Sequence, residues 1–194
     1  MSQAHAFDLA SASQIWEALE AAAAHRTPFT LGYLGTSGAA GQPHVRAVIV
    51  RDVDAGSGTI FFSTHALSAK VGQLEENPLA AITFYDEVAD VQLRVEGRAE
   101  VIADEGLRRA AWSSFGDGTR GLFAAPGRPG MPLPPATDAR DEGDEGEESS
   151  SYARFAWVAL RVGYMDAVDL SGAEHLRYVF TRSGTAWHAE RVVP

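Results

Sequence analysis

The sequence predicts a mainly β protein, an antiparallel barrel carrying a few small peripheral helices, and three observations predict it. Short runs rich in β-branched and aromatic residues recur along the chain, punctuated by Gly, Asp, Ser and Pro. Only two or three segments show helical periodicity. With 194 residues, of which 45% are hydrophobic and 22% charged, the chain can bury one sizeable core and is short for two. Residues 1–194 are therefore expected to form a single domain.

Ser13 to His25 reads as a helix, since Ile15, Trp16, Leu19, Ala22 and Ala23 recur at helical spacing and Ser13 can cap the start. Thr27-Pro28 ends it. Phe29 to Gly35 reads as a strand, and a Gly-rich turn follows at Ser37 to Gln42. His44 to Arg51 is the clearest strand; the turn at Asp52 to Gly58 joins it to a partner at Thr59 to Thr64. Ser68 to Glu76 reads as a short helix stopped by Asn77-Pro78. Leu79 to Tyr85 and Val91 to Ile102 are two further strands, and Asp104 is placed to cap a helix running to about Ser114.

Pro126 to Ser151 breaks the pattern. It is Pro/Gly-rich and then acidic, and it offers too little apolar surface to offset its ordering entropy. It is expected to be a mobile loop inside the domain. Strands resume at Tyr152 to Val162, His175 to Thr181 and Trp187 to Val193.

Composition narrows the function classes. The net charge of −10 opposes binding to nucleic acid or to an anionic membrane, so neither partner is expected. Seven of the 26 acids fall within residues 138–148, so the rest is only mildly acidic and leaves room for basic pockets. No apolar run approaches the length of a membrane span. The first ten residues lack the Lys or Arg of a secretory signal, and cysteine is absent. A cytoplasmic location is expected, and no metal site. There is no Gly-x-Gly-x-x-Gly opening a helix, no phosphate loop of the nucleotide-hydrolase kind and no nucleophile elbow.

Four segments carry a family resemblance. They are Arg46-Ala47-Val48-Ile49-Val50-Arg51, Ile60-Phe61-Phe62-Ser63-Thr64, the basic helix from Ser68 to Asn77-Pro78, and Val91-Gln92-Leu93-Arg94-Val95-Glu96-Gly97-Arg98-Ala99-Glu100. The tail from Arg177 to Pro194 adds a fifth. In order and spacing these resemble the pyridoxamine 5'-phosphate oxidase family, whose fold is an FMN-binding split barrel.

The resemblance implies a cofactor, FMN, and a set of residues around it. Arg46 and Lys70 would hold the phosphate, with Ser63 adding a hydroxyl and Phe62 and Ala69 flanking them. The backbone of Ala47, Val48 and Ile49 would follow the flavin ring, and Gln92 would meet its polar edge. Arg177, with His175, would stand nearest the reacting centre, where a cation stabilises the reduced flavin anion. Arg51 and His175 would contact substrate. The family builds its flavin site from two subunits, so a homodimer with the site at its interface is implied.

The same comparison shows departures. Ala110, Ser114 and Gly118 stand where the family's oxidases place phosphate-binding side chains, and Ala173 replaces an arginine. Leu170 or Val168 replaces a ring-contacting tryptophan, and Gly127-Arg128 replaces a Gln-Ser pair. Arg108, Arg109, Arg120 and Arg128 are the candidates to compensate. The expected function is an FMN-dependent oxidoreductase acting on a small molecule whose identity the sequence leaves open, with pyridoxamine 5'-phosphate not expected to be its best substrate. A non-catalytic flavin or haem carrier, and a deazaflavin-dependent reductase, are the alternatives on this fold.

Overall fold

The computed structural model describes residues 8–125, 127–132 and 147–194. Eight antiparallel strands form one sheet: β1 (Leu31–Ser37), β2 (Pro43–Asp54), β3 (Thr59–His65), β4 (Leu79–Asp86), β5 (Val91–Val101), β6 (Phe155–Asp169), β7 (Leu176–Ser183) and β8 (Ala186–Val192). They run in the order β3-β2-β1-β4-β5-β6-β7-β8, and β3 also pairs with β6. That last pairing closes β1 to β6 into a six-stranded barrel, which removes the free edges of six strands. β7 and β8 continue outward from β6.

Alternation along each strand fills the barrel. Leu34, Ile60, Phe62, Ile82, Phe84, Leu93, Val95, Leu160 and Phe180 are fully or almost fully buried. β6 can serve both barrel and extension because it is long: Phe155 to Arg161 pair with β3, and Tyr164 to Asp169 pair with β7. β6 bulges at Gly163, the extra residue opposite Glu96 and Gly97 of β5, where the strands come close. A Cβ at Gly97 would press into the Arg161 carbonyl, so glycine is needed there.

Helices decorate the barrel. α1 (Ala12–Ala24) lays Ile15, Trp16, Leu19 and Ala22 against the core. α2 (Ala69–Glu76) follows β3. α3 (Glu105–Ser114) is capped by the Asp104 carboxylate, which accepts from the Leu107 amide at 2.8 Å. α4 (Asp117–Arg120) and α5 (Glu147–Arg154) flank a second cluster built on Trp112, Phe123, Phe155 and Trp157. Among the described residues no helix is long and apolar enough to cross a membrane.

Four expectations need correction. Ser11, not Ser13, caps α1; Ser11 is extended and its hydroxyl accepts from the Gln14 amide, whereas Ser13 already lies in the first turn. The first strand starts at Leu31, since Pro28–Thr30 form a 3-10 turn. The expected loop 126–151 ends sooner, because Glu147 to Ser151 are helical, and Arg154 at the end of α5 suits the helix dipole. Residues 133–146, including most of the acidic run, lie outside the described residues. Finally, β6 starts at Phe155 rather than Tyr152 and runs through Gly163, because Val162 and Tyr164 on either side of it both pair with β5.

Candidate flavin site

A cleft of about 430 Å³ opens beside the β2–β3 ladder, where the start of α2 crosses it. Ala47, Val48 and Ile49 form one wall, and Ser63, Thr64 and His65 come from the end of β3. Lys70 projects from α2, and Arg51 closes one side. Among the described residues no carboxylate lines this cleft. The Val48 and Phe62 side chains face the barrel core at 7% and 0% exposure, which leaves the Phe62 backbone as its means of contact.

Lys70 is held in place by hydroxyls. Its ammonium donates to Thr64 Oγ1 at 2.8 Å and to Ser68 Oγ at 3.3 Å. The N-cap residue Ser68 therefore makes no side-chain bond to the first turn of α2, whose positive end is left uncapped. Arg46 stands behind Lys70 rather than in the cleft wall. It donates to Thr36 Oγ1 and to Gln73 Oε1, the latter at 2.9 Å. Neither Arg46 nor Lys70 pairs with a carboxylate among the described residues. Burial, and then the adjacent Arg46 charge, lowers the Lys70 pKa from its ordinary value. Two cations side by side with no acid between them favour an anion.

Two further donors point to the same ligand type. His65 Nδ1 accepts the Leu67 amide at 3.1 Å, so the proton sits on Nε2, which is buried without a partner. Burial, and then the charges of Arg154 and Lys70, hold the His65 pKa down, so the ring is a neutral donor. Sequence reading missed His65 and Thr64, because a lone histidine after a strand reads as solvated. Their place just before the helix cap was the available signal. Arg51 Nε is likewise buried and unpaired.

The other expected residues lie elsewhere on the barrel. Gln92 of β5 pairs with Val168 of β6, which pairs with Arg177 of β7, so the three share one row and one face. Through the β3–β6 closure Gln92 and Arg177 are three strands from β2, and their row meets β6 at Val168, eleven residues beyond Trp157, the partner of Ser63, at about 3.3 Å per residue. Arg177 forks onto Asp166, at 2.9 Å from Nε to Oδ1 and 2.7 Å from Nη2 to Oδ2. That bond raises the Arg177 pKa further above its ordinary value. Arg94 also reaches Asp166, at 2.9 Å, and pairs with Glu96 at 3.1 Å. Two guanidiniums and two carboxylates make this network neutral. His175 is exposed in the turn before β7, and Ala69 is exposed at the start of α2.

The candidates to compensate the missing phosphate donors are engaged or remote. Arg108 donates to the Phe155 carbonyl and pairs with Glu105; Arg109 pairs with Glu105; Arg120 donates to the Trp112 and Ser113 carbonyls. Arg128 is exposed and does not line this cleft.

Residues 18–137, more than half of the chain, match the family described as Pyridoxamine 5'-phosphate oxidase. The chain belongs to that family. A pyridoxine/pyridoxamine 5'-phosphate oxidase of Pseudomonas putida strain GB-1 is 35% identical over 92 residues, 42% of each chain. One from Maricaulis maris strain MCS10 is 43% identical over 70 residues, 36% of this chain and 31% of its own. The chain thus aligns with less than half the length of these curated relatives. Among solved structures, a pyridoxamine 5'-phosphate oxidase-related, FMN binding protein from Nostoc punctiforme PCC 73102 has a TM-score of 0.75 and 22% identity. The match covers 96% of this chain and all of that one. PhzG from Burkholderia lata 383, solved with tetrahydrophenazine-1-carboxylic acid, has a TM-score of 0.71 and 20% identity, covering 94% of this chain and 90% of its own. These structural likenesses show the pyridoxamine 5'-phosphate oxidase-like split barrel.

If Lys70 holds a phosphate dianion, binding raises its pKa. Affinity is then full below the lowered pKa of the free site and declines as pH rises from there towards the bound-state value. FMN titrations between pH 7 and 10 should show that decline beginning below the pH of an ordinary lysine, and Lys70→Arg should flatten it. A flat profile in the unaltered protein would take Lys70 off the phosphate.

Proposed function

We propose that the chain is an FMN-dependent oxidoreductase of the pyridoxamine 5'-phosphate oxidase family, acting on a small molecule as a cytoplasmic homodimer. The observation that carries this reading is the cleft, free of acids among the described residues, where Lys70, backed by Arg46, stands beside Ser63, Thr64 and the unpaired His65 Nε2. Such a donor set suits a phosphate monoester. When bound, FMN would take a hydride from the substrate and pass its electrons to oxygen or another acceptor. Lys70, Ser63 and Thr64 would hold the phosphate, and the β2 backbone at Ala47 to Ile49 would lie along the ring. Arg177, fixed by Asp166, would orient the reacting edge with Gln92 and His175.

The separation of the two groups supports the homodimer. Ser63, beside Lys70, pairs with Trp157 of β6, whereas Gln92 and Arg177 flank Val168, eleven residues further along the same strand, too far for one small ligand to meet both within one barrel. Leu31, Tyr33, Val45 and Tyr85 are large apolar residues exposed on β1, β2 and β4, the kind of surface a second copy would cover. The haem alternative is the weaker one at this cleft, because His65 presents a protonated Nε2 rather than a lone pair.

Subunit mixing tests the reading. Arg46→Ala/Lys70→Ala chains and Gln92→Ala/Arg177→Ala chains should each bind FMN poorly. Mixed dimers should regain one intact site each, read as one flavin per two chains. No recovery in isolated mixed dimers would rule out a shared site.

A further inference from the structure

We propose that Gln73 is a positioning residue of the phosphate site: it fixes the Arg46 guanidinium while leaving its positive charge uncancelled. The inference goes beyond the flavin reading above but rests on it.

Arg46 lies on β2, and Gln73 lies on α2 three residues after Lys70. Three side chains close a ring there. Arg46 donates from Nη2 to Gln73 Oε1 at 2.9 Å and from Nη1 to Thr36 Oγ1. Thr36 in turn donates to the same Gln73 oxygen at 2.7 Å. The directions are forced. A guanidinium carries only donors, so both oxygens accept from it, and the one hydroxyl hydrogen of Thr36 is left for Gln73. The amide therefore turns its oxygen, not its nitrogen, towards Arg46. Thr36 is buried on β1, which anchors the ring away from water. A longer bond runs from Arg46 Nη1 to the Leu34 carbonyl at 3.5 Å.

All of these acceptors are neutral. A partly buried arginine is ordinarily matched by a carboxylate, as Asp166 matches Arg94 and Arg177 on the same barrel. A carboxylate at position 73 would orient Arg46 equally well and cancel its charge. An amide gives the orientation alone. Glu75 and Glu76, the acids of α2, are exposed, and the bonds of Arg46 all go elsewhere. The uncancelled charge is felt at the cleft, where it lowers the Lys70 pKa after burial does. Lys70 and Gln73 share one face of α2, so the helix that presents Lys70 to the cleft also holds Arg46 behind it.

The experiment titrates the cofactor-free full-length chain with FMN, riboflavin and inorganic phosphate, beside a thermal melt. Gln73→Glu keeps the shape of the ring and its bonds. It should weaken FMN by about tenfold or more and leave riboflavin unchanged, because only the phosphate senses the lost charge. Its melting temperature should be no lower than that of the unaltered chain, since it gains an ion pair. A merely structural glutamine would not lose phosphate binding while keeping stability. Gln73→Met removes the acceptor without adding charge, and so tests the proposal even if Gln73→Glu fails to fold. It should weaken FMN on its own and cost nothing further in an Arg46→Ala chain, since Gln73 acts through Arg46. Unchanged FMN affinity in Gln73→Glu, riboflavin falling in step with FMN, or additive losses in Gln73→Met/Arg46→Ala would overturn the proposal. A chain that takes up no FMN, yet binds phosphate more weakly as Gln73→Glu, would overturn the flavin reading and support this one. FMN uptake indifferent to Gln73→Glu would do the reverse. Binding of neither FMN nor phosphate would overturn both.

Discussion

Replacing Arg46 and Lys70 together by alanine should weaken FMN binding by at least tenfold. The charge-assisted hydrogen bond from Lys70 contributes about 1.5 to 3 kcal/mol, roughly ten- to hundredfold, and loss of the Arg46 charge behind it adds to that. The single variants should differ. Lys70 lines the cleft and would touch the ligand, whereas Arg46 stands behind it and donates to Thr36 and Gln73. Lys70→Ala should therefore cost more affinity than Arg46→Ala, whose effect would come through lost charge and a loosened Gln73. Fluorescence titration of FMN-free protein separates the three variants. Affinity within threefold of the unaltered chain in the double variant would remove the phosphate from this cleft.

Asp166→Ala should lower the melting temperature by about 4 to 8 °C. The Asp166 carboxylate is almost fully buried, between the Arg94 and Arg177 guanidiniums. Without it two cations face each other, and breaking a buried pair is costly because the remaining charge is uncompensated. Both arginines are about one-third exposed, at 38% and 32%, so water softens the loss. For a chain of this length each kcal/mol corresponds to roughly 2 to 4 °C. Asp166→Asn keeps the shape and should lose less. Circular dichroism melts of both variants read this directly, and a shift under about 1 °C for the alanine variant would contradict it.

The sequence showed most clearly what local rules determine. The β2–β3 hairpin, the Asp104 cap and the Asn77-Pro78 stop were legible because turn chemistry and alternation act within a few residues. The bulge at Arg51 was not legible, since it appears only when Val50 and Asp52 are paired with neighbouring residues of β3. The second half of β6 was hidden for the same reason: Gly163 ends a strand by propensity, but the pairing of Val162 and Tyr164 with β5 carries the strand past it as a bulge. Of the site, Lys70 and the β2 wall were placed together as expected. The Asp166 clasp on Arg177 went unseen, because an aspartate in a strand shows no sign of its partner eleven residues away. The resemblance supplied residue roles that spacing alone could not, and the structure divides those residues into two groups on one barrel.

The most direct measurement of the central claim is a titration of cofactor-free protein with FMN and, in parallel, with riboflavin, followed by flavin absorption and fluorescence. The account predicts saturation at one FMN per chain, with riboflavin at least tenfold weaker because it lacks the phosphate that Lys70 and its neighbours would hold. Equal affinity for the two flavins, or saturable binding of neither, would contradict it.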